Sequence, residues 1–143
     1  MPLSFHPTLD AFGKEYHYWI SYGPYQLPFH RHISWHFPYS FDIQLIHQAI
    51  PFFIGEKNFS AFCNAKKNSK ETDFIRRVDG IEVIEKDSML KFTVSGNRFL
   101  YKMVRNIVGT LMYVGCGKIV LHDIPLIFER KKRTAAGMTA PAH

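Results

Sequence analysis

The sequence predicts an α+β domain, an antiparallel sheet with helices on one face, and three stretches carry that prediction. Lys14 to Tyr22 alternates and is rich in aromatics, as a half-buried strand is. Phe74 to Glu85 and Met89 to Ser95 are strand-like runs joined by Lys86-Asp87-Ser88, which reads as a hairpin. Ser95 to Met112 repeats apolar residues at helical spacing around most of its circumference, so it reads as a helix that must be largely buried.

A chain of 143 residues, 46% hydrophobic and 15% aromatic, is one domain's worth of sequence and can bury a real core. The excess of 18 Lys and Arg over 12 Asp and Glu gives a net charge of +6, which favours polyanionic partners, nucleic acid first. Cys63 and Cys116 lie far apart and outside any Cys-x-x-Cys pattern, so neither a disulfide scaffold nor a zinc site is indicated, and a reduced, cytoplasmic chain is expected. Met1-Pro2-Leu3-Ser4-Phe5-His6-Pro7 lacks the pattern of a signal peptide, and no apolar run reaches membrane-spanning length, so no membrane partner is expected.

In the first strand Tyr16, Tyr18, Ile20 and Tyr22 share a face, and Gly23-Pro24 ends it. Pro24 to Tyr39 reads as a loop with His30, Arg31, His32 and His36; no carboxylate or cysteine stands there at ligand spacing, so no metal is expected. Phe41 to Ile50 reads as a helix with Asp42 as N-cap, and Pro51 argues against its continuation. Phe59 and Phe62 anchor the next loop on the core, and Asn64 to Lys70 is polar and basic, fitting equally a solvated loop and one lying over a phosphate backbone. After the central helix a glycine in the Val114-Gly115-Cys116-Gly117-Lys118 run suits a left-handed C-cap. Ile119 to Glu129 reads as a short third helix, followed by the basic Arg130-Lys131-Lys132-Arg133. Strand, helix, hairpin, helix is the β-α-β-β-α order of a ferredoxin-like split βαβ unit with its last strand missing.

The central helix leaves one stripe that is not apolar: Arg98, Lys102, Arg105 and Gly109. Cations are the usual covering of a half-buried helix, and a solvated face would account for them. The order of residues points further. Gly96-Asn97-Arg98-Phe99-Leu100-Tyr101-Lys102-Met103-Val104-Arg105-Asn106-Ile107-Val108-Gly109-Thr110-Leu111 closely resembles the signature of the tRNA pseudouridine synthase A family. Four other segments are similar to family patterns: Phe5 to Ala11 leading into Lys14-Glu15-Tyr16-His17-Tyr18, Gly55 to Phe62, Arg76 at the start of a strand, and Thr134 to His143. Pro7 and Thr8 depart from the alanine and arginine usual there, so the resemblance does not carry a phosphate contact over to position 8, while the tyrosine register is kept.

The resemblance implies isomerisation of uridine to pseudouridine in the anticodon stem-loop of tRNA, without cofactor or metal, by a homodimeric enzyme. By its register Tyr16 matches the tyrosine that stacks on the target base, and Arg105 would pair with the catalytic aspartate. Lys14, Arg98, Lys102, Arg130 and Lys131 are candidates for phosphate contacts. The aspartate itself belongs to a Gly-Arg-Thr-Asp-x-Gly-Val-His loop of an N-terminal domain. None of Asp10, Asp42, Asp73, Asp79, Asp87 or Asp123 has that context, and Arg77-Val78-Asp79-Gly80 sits within a strand. Residues 1–143 therefore read as the C-terminal domain alone, without the last strand beside the first, and the alternatives are a non-catalytic RNA-binding module or an inactive truncated product.

Overall fold

The computed structural model describes residues 13–23, 34–64, 73–133, 136–137 and 139–141. His30, Arg31, His32 and the Phe5 to Ala11 segment lie outside the described residues. Five strands form one sheet: β1 (Lys14–Tyr22), β2 (Trp35–Phe37), β3 (Gly55–Asn58), β4 (Ile75–Lys86) and β5 (Met89–Gly96). The helices are α1 (Ile43–Ala49), α2 (Met103–Gly115) and α3 (Ile124–Arg130), with single 3-10 turns at Ile50–Phe53, Ser60–Phe62 and Leu121–Asp123. The sheet order is β2-β1-β5-β4-β3.

β5 lies antiparallel between β1 and β4, so β1, α1 and β4 make the expected split βαβ unit and the α+β class holds. The alternation of β1 and β5 explains why helices cover only one face: Tyr18, Ile20, Leu90, Phe92 and Val94 are buried, whereas Trp19 stays exposed and Lys91 half-exposed. Two strands lie where the sequence reads as loop. β2 runs parallel to β1 over Ile20 to Tyr22, so the edge expected to be bare is covered there. β3 pairs antiparallel with the outer edge of β4. Both are short, three and four residues, and too brief to show a periodicity of their own.

α1 begins as expected, with the Asp42 carboxylate accepting from the Gln44 N–H at 2.9 Å. Pro51 stands at the start of a 3-10 turn, where its missing N–H costs nothing. Phe59 and Phe62 are fully buried and join Phe53 and Phe128 of α3 in a cluster of rings with centroids 5.0 to 6.1 Å apart. Burial of each such side chain is worth about 2 kcal/mol, which seats the turn between β3 and β4 on the core.

The central helix differs from its expected span. It starts at Met103, and Lys102 before it adopts a left-handed φ of 60°. Asn97 explains the delay, because its side-chain oxygen accepts from the N–H groups of Arg77 at 3.1 Å and Arg98 at 2.9 Å. That fastens the end of β5 to β4 and offers the backbone a turn in place of a helix. Arg98 and Lys102 thereby leave the helix, and of the expected cationic stripe only Arg105 remains on α2. Eleven α2 residues are buried, which is the burial the periodicity demands. The helix ends in a Schellman cap: Gly117 has φ +87°, its N–H donates to the Val114 carbonyl, and the Lys118 N–H donates to Tyr113 at 2.9 Å.

Candidate functional site

β1, the turn after β5 and the first turn of α2 enclose a cleft of about 400 Å³. Its walls include Tyr16, Tyr18, Phe99, Tyr101, Lys102 and Arg105, and among the described residues no carboxylate lines it. Tyr16 and Arg105, far apart in sequence, therefore face one space.

Tyr16 is presented by β1, is 45% exposed, and makes a T-shaped contact with Phe99, centroids 5.1 Å apart. A half-exposed aromatic side chain has surface left for stacking. Phe99, in the turn before α2, is half-buried and also packs against the core. Tyr18, two residues on, is buried, and its hydroxyl donates to the Pro141 carbonyl. Burial pushes the Tyr18 phenol well above its ordinary value, and the Arg105 charge pulls part of the way back, so it stays a neutral donor.

Arg105 is half-buried on α2, where its Nε–H donates to the Ala140 carbonyl at 2.8 Å. In return the Ala140 N–H donates to the Arg105 carbonyl at 3.1 Å. Among the described residues neither terminal nitrogen of Arg105 has a partner, which leaves a planar pair of donors for a bidentate acceptor such as a carboxylate or phosphate.

The other candidates spread out. Lys102 lines the cleft with its ammonium 5.3 Å from the Tyr101 ring centroid. Lys14 is exposed at the start of β1, and exposed Arg98 comes within 3.9 Å of Asp73. Arg130 and Lys131 are exposed at the end of α3 and do not line the cleft. Asp79 lies on the surface beside a bulge in β4, where it accepts from Arg77 Nε at 2.7 Å. Among the described residues no three His, Cys, Asp or Glu are grouped as metal ligands, and no helix is long and apolar enough to cross a membrane.

The sequence reading missed a buried polar network behind Arg105. Asn106, fully buried, donates to the Phe62 carbonyl at 2.7 Å and to Asn64 Oδ1 at 2.8 Å. Its own oxygen accepts from Thr139 Oγ1 at 2.5 Å and Arg133 Nη2 at 3.0 Å. Arg133, grouped by sequence with a surface cluster, is drawn inward here, and burial pulls its guanidinium below its ordinary value. One signal was available: an asparagine among apolar residues on a buried helix requires partners for both ends of its amide.

A family model described as tRNA pseudouridine synthase matches residues 49–143. The chain is 52% identical over 144 residues to "tRNA pseudouridine synthase A 2" of Protochlamydia amoebophila, covering 100% of this chain and 55% of that protein. It is 42% identical over 139 residues to "tRNA pseudouridine synthase A 1" of Bacillus cereus, covering 97% of this chain and 56% of the other. Against "tRNA pseudouridine synthase A" of Acetivibrio thermocellus the identity is 39% over 140 residues, 98% of this chain and 57% of that protein. The chain thus spans about half the length of these curated relatives.

Proposed function

Because the chain belongs to the tRNA pseudouridine synthase family, we propose that it is the C-terminal portion of an enzyme that converts uridine to pseudouridine in the anticodon stem-loop of tRNA. The observation that carries this reading is that Tyr16 and Arg105 line one aromatic and cationic cleft.

A base inside a stem cannot be reached, so the target uridine turns out of the stack into the cleft, where Tyr16 provides a stacking face. The reaction breaks the bond between N1 of uracil and C1′ of ribose, turns the ring and joins C5 to C1′. The proton leaves C5 and N1 gains one, so no cofactor, oxidant or reductant is required. An aspartate from a segment preceding these residues assists cleavage at C1′. The terminal nitrogens of Arg105 hold that carboxylate bidentately, and their charge keeps it ionised in a pocket that excludes water. Lys102 meets phosphate at the mouth of the cleft, with Lys14, Arg98, Arg130 and Lys131 as outlying contacts whose contribution falls as salt rises. Pairing as a homodimer belongs to the same reading.

The test is tritium release from tRNA labelled at C5 of uridine, measured with this chain alone and with the preceding half of the enzyme added. Release is expected only from the combination, and Arg105→Ala in the combination abolishes it. Release by this chain alone would overturn the assignment of the carboxylate to another segment. Wild-type turnover by the Arg105→Ala combination would remove the role given to that residue. Binding of tRNA without turnover in the combination would favour a non-catalytic RNA-binding module.

A further inference from the structure

We infer that Arg133 is a positioning residue: it clamps the segment from Gly137 to Pro141 against α2 so that the Ala140 carbonyl sets the direction of the Arg105 guanidinium. The importance attached to Arg105 rests on the function proposed above; the clamp itself rests on geometry.

Arg133 differs from its neighbours in the basic cluster. Residues 130 to 132 are exposed, whereas the Arg133 guanidinium makes four hydrogen bonds. Two go to the body of the domain, from Nε to Asn64 Oδ1 at 2.9 Å and from Nη2 to Asn106 Oδ1 at 3.0 Å. Two go to the crossing segment, from Nη1 to the Gly137 carbonyl at 2.6 Å and from Nη2 to Thr139 Oγ1 at 2.7 Å. One rigid plane of donors thus ties the segment to the body, a task for which the ammonium of lysine has the wrong geometry.

Gly137 and Ala140 are both held closely along α2. The Gly137 N–H donates to Thr110 Oγ1 at 2.9 Å, and a Cβ on Gly137 would come within 2.8 Å of Thr110 Cα. Ala140 follows Thr139 directly, and it carries both hydrogen bonds to Arg105. Pro141 then takes the Tyr18 hydroxyl. The direction of the Arg105 side chain therefore depends on where Thr139 is fastened, one residue away from the clamp.

A purely structural Arg133 would loosen all of α2 when replaced, whereas a positioning Arg133 loosens Arg105 selectively. The experiment is hydrogen exchange at arginine Nε–H groups by NMR of the labelled 143-residue chain, with the Arg105 resonance assigned by its loss in Arg105→Lys. In Arg133→Lys the Arg105 Nε–H should exchange about tenfold faster, the worth of one net hydrogen bond, while α2 backbone amides keep their protection. Thr139→Val, which deletes the hydroxyl from the same clamp without removing a charge, should move the same resonance in the same direction should Arg133→Lys fail to fold. Wild-type exchange at Arg105 in the folded variants, or equal loss of protection along α2, would overturn the proposal. With the preceding half of the enzyme added, kcat should fall while KM for tRNA holds. Faster exchange with unchanged kcat would leave the clamp standing and refute the function given to Arg105.

Discussion

Arg105 and Ala140 are joined by a reciprocal pair of hydrogen bonds: the side-chain Nε–H of Arg105 donates to the Ala140 carbonyl at 2.8 Å, and the Ala140 N–H donates to the Arg105 carbonyl at 3.1 Å. One bond closes on the helix backbone and the other on the side chain, so the peptide at Ala140 fixes the guanidinium relative to α2. The pair engages only Nε of the side chain, and Arg105 lines the same cleft as Tyr16.

Arg105→Lys keeps the charge and loses the Nε donor together with the fork. Pseudouridine formation by the assembled enzyme should fall at least about a hundredfold, because the acceptor loses a bidentate partner. Chemical denaturation should show a loss of only about 1 kcal/mol, the net worth of one hydrogen bond. A turnover close to wild type would show that charge alone suffices at this position.

Gly137→Ala should disturb the same geometry from the opposite side. Its Cβ would meet Thr110 Cα at 2.8 Å and the Gly109 carbonyl at 3.1 Å, both backbone atoms of a buried helix that cannot withdraw. The segment must move instead, at a cost of about 1 to 3 kcal/mol. Differential scanning calorimetry should report the destabilisation, and Arg105 Nε–H exchange should accelerate with it.

The β4–β5 hairpin turns through Asp87 and Ser88 at φ 53° and 61°, the pair of left-handed residues of a type I′ turn. A residue with a Cβ is strained there, so Ser88→Gly should stabilise the domain by about 1 kcal/mol. Urea unfolding with an unchanged slope is the check, and a destabilised variant would refute the turn assignment.

Tyr22 donates to the Glu85 carboxylate at 2.7 Å. Burial, this hydrogen bond and the carboxylate charge push its pKa up from 10.0 to about 12. A raised folded pKa means that the folded state holds the proton more tightly. The stability it contributes is full below pH 10.0 and is lost as pH rises towards about 12. Thermal unfolding followed across that window should decline more steeply for the wild type than for Tyr22→Phe, and parallel curves would refute the coupling.

Local signals in the sequence determined the elements whose chemistry is local: the alternation of β1, the hairpin at Asp87-Ser88, the Asp42 cap, the glycine-ended α2 and its burial on nearly every side. They also brought Tyr16 and Arg105 forward as candidates, through the resemblance of their segments to family patterns. Only tertiary structure decided the rest. β2 and β3 exist because neighbouring strands offer unpaired edges, which three or four residues cannot announce by themselves. α2 starts late because Asn97 finds a partner across the sheet, in Arg77. Arg133 reads as one more surface cation until folding brings Asn64, Asn106, Gly137 and Thr139 around it. Hydrophobic period records which face is buried, but a buried polar group is satisfied by residues distant in sequence, and their meeting is a property of the packed fold.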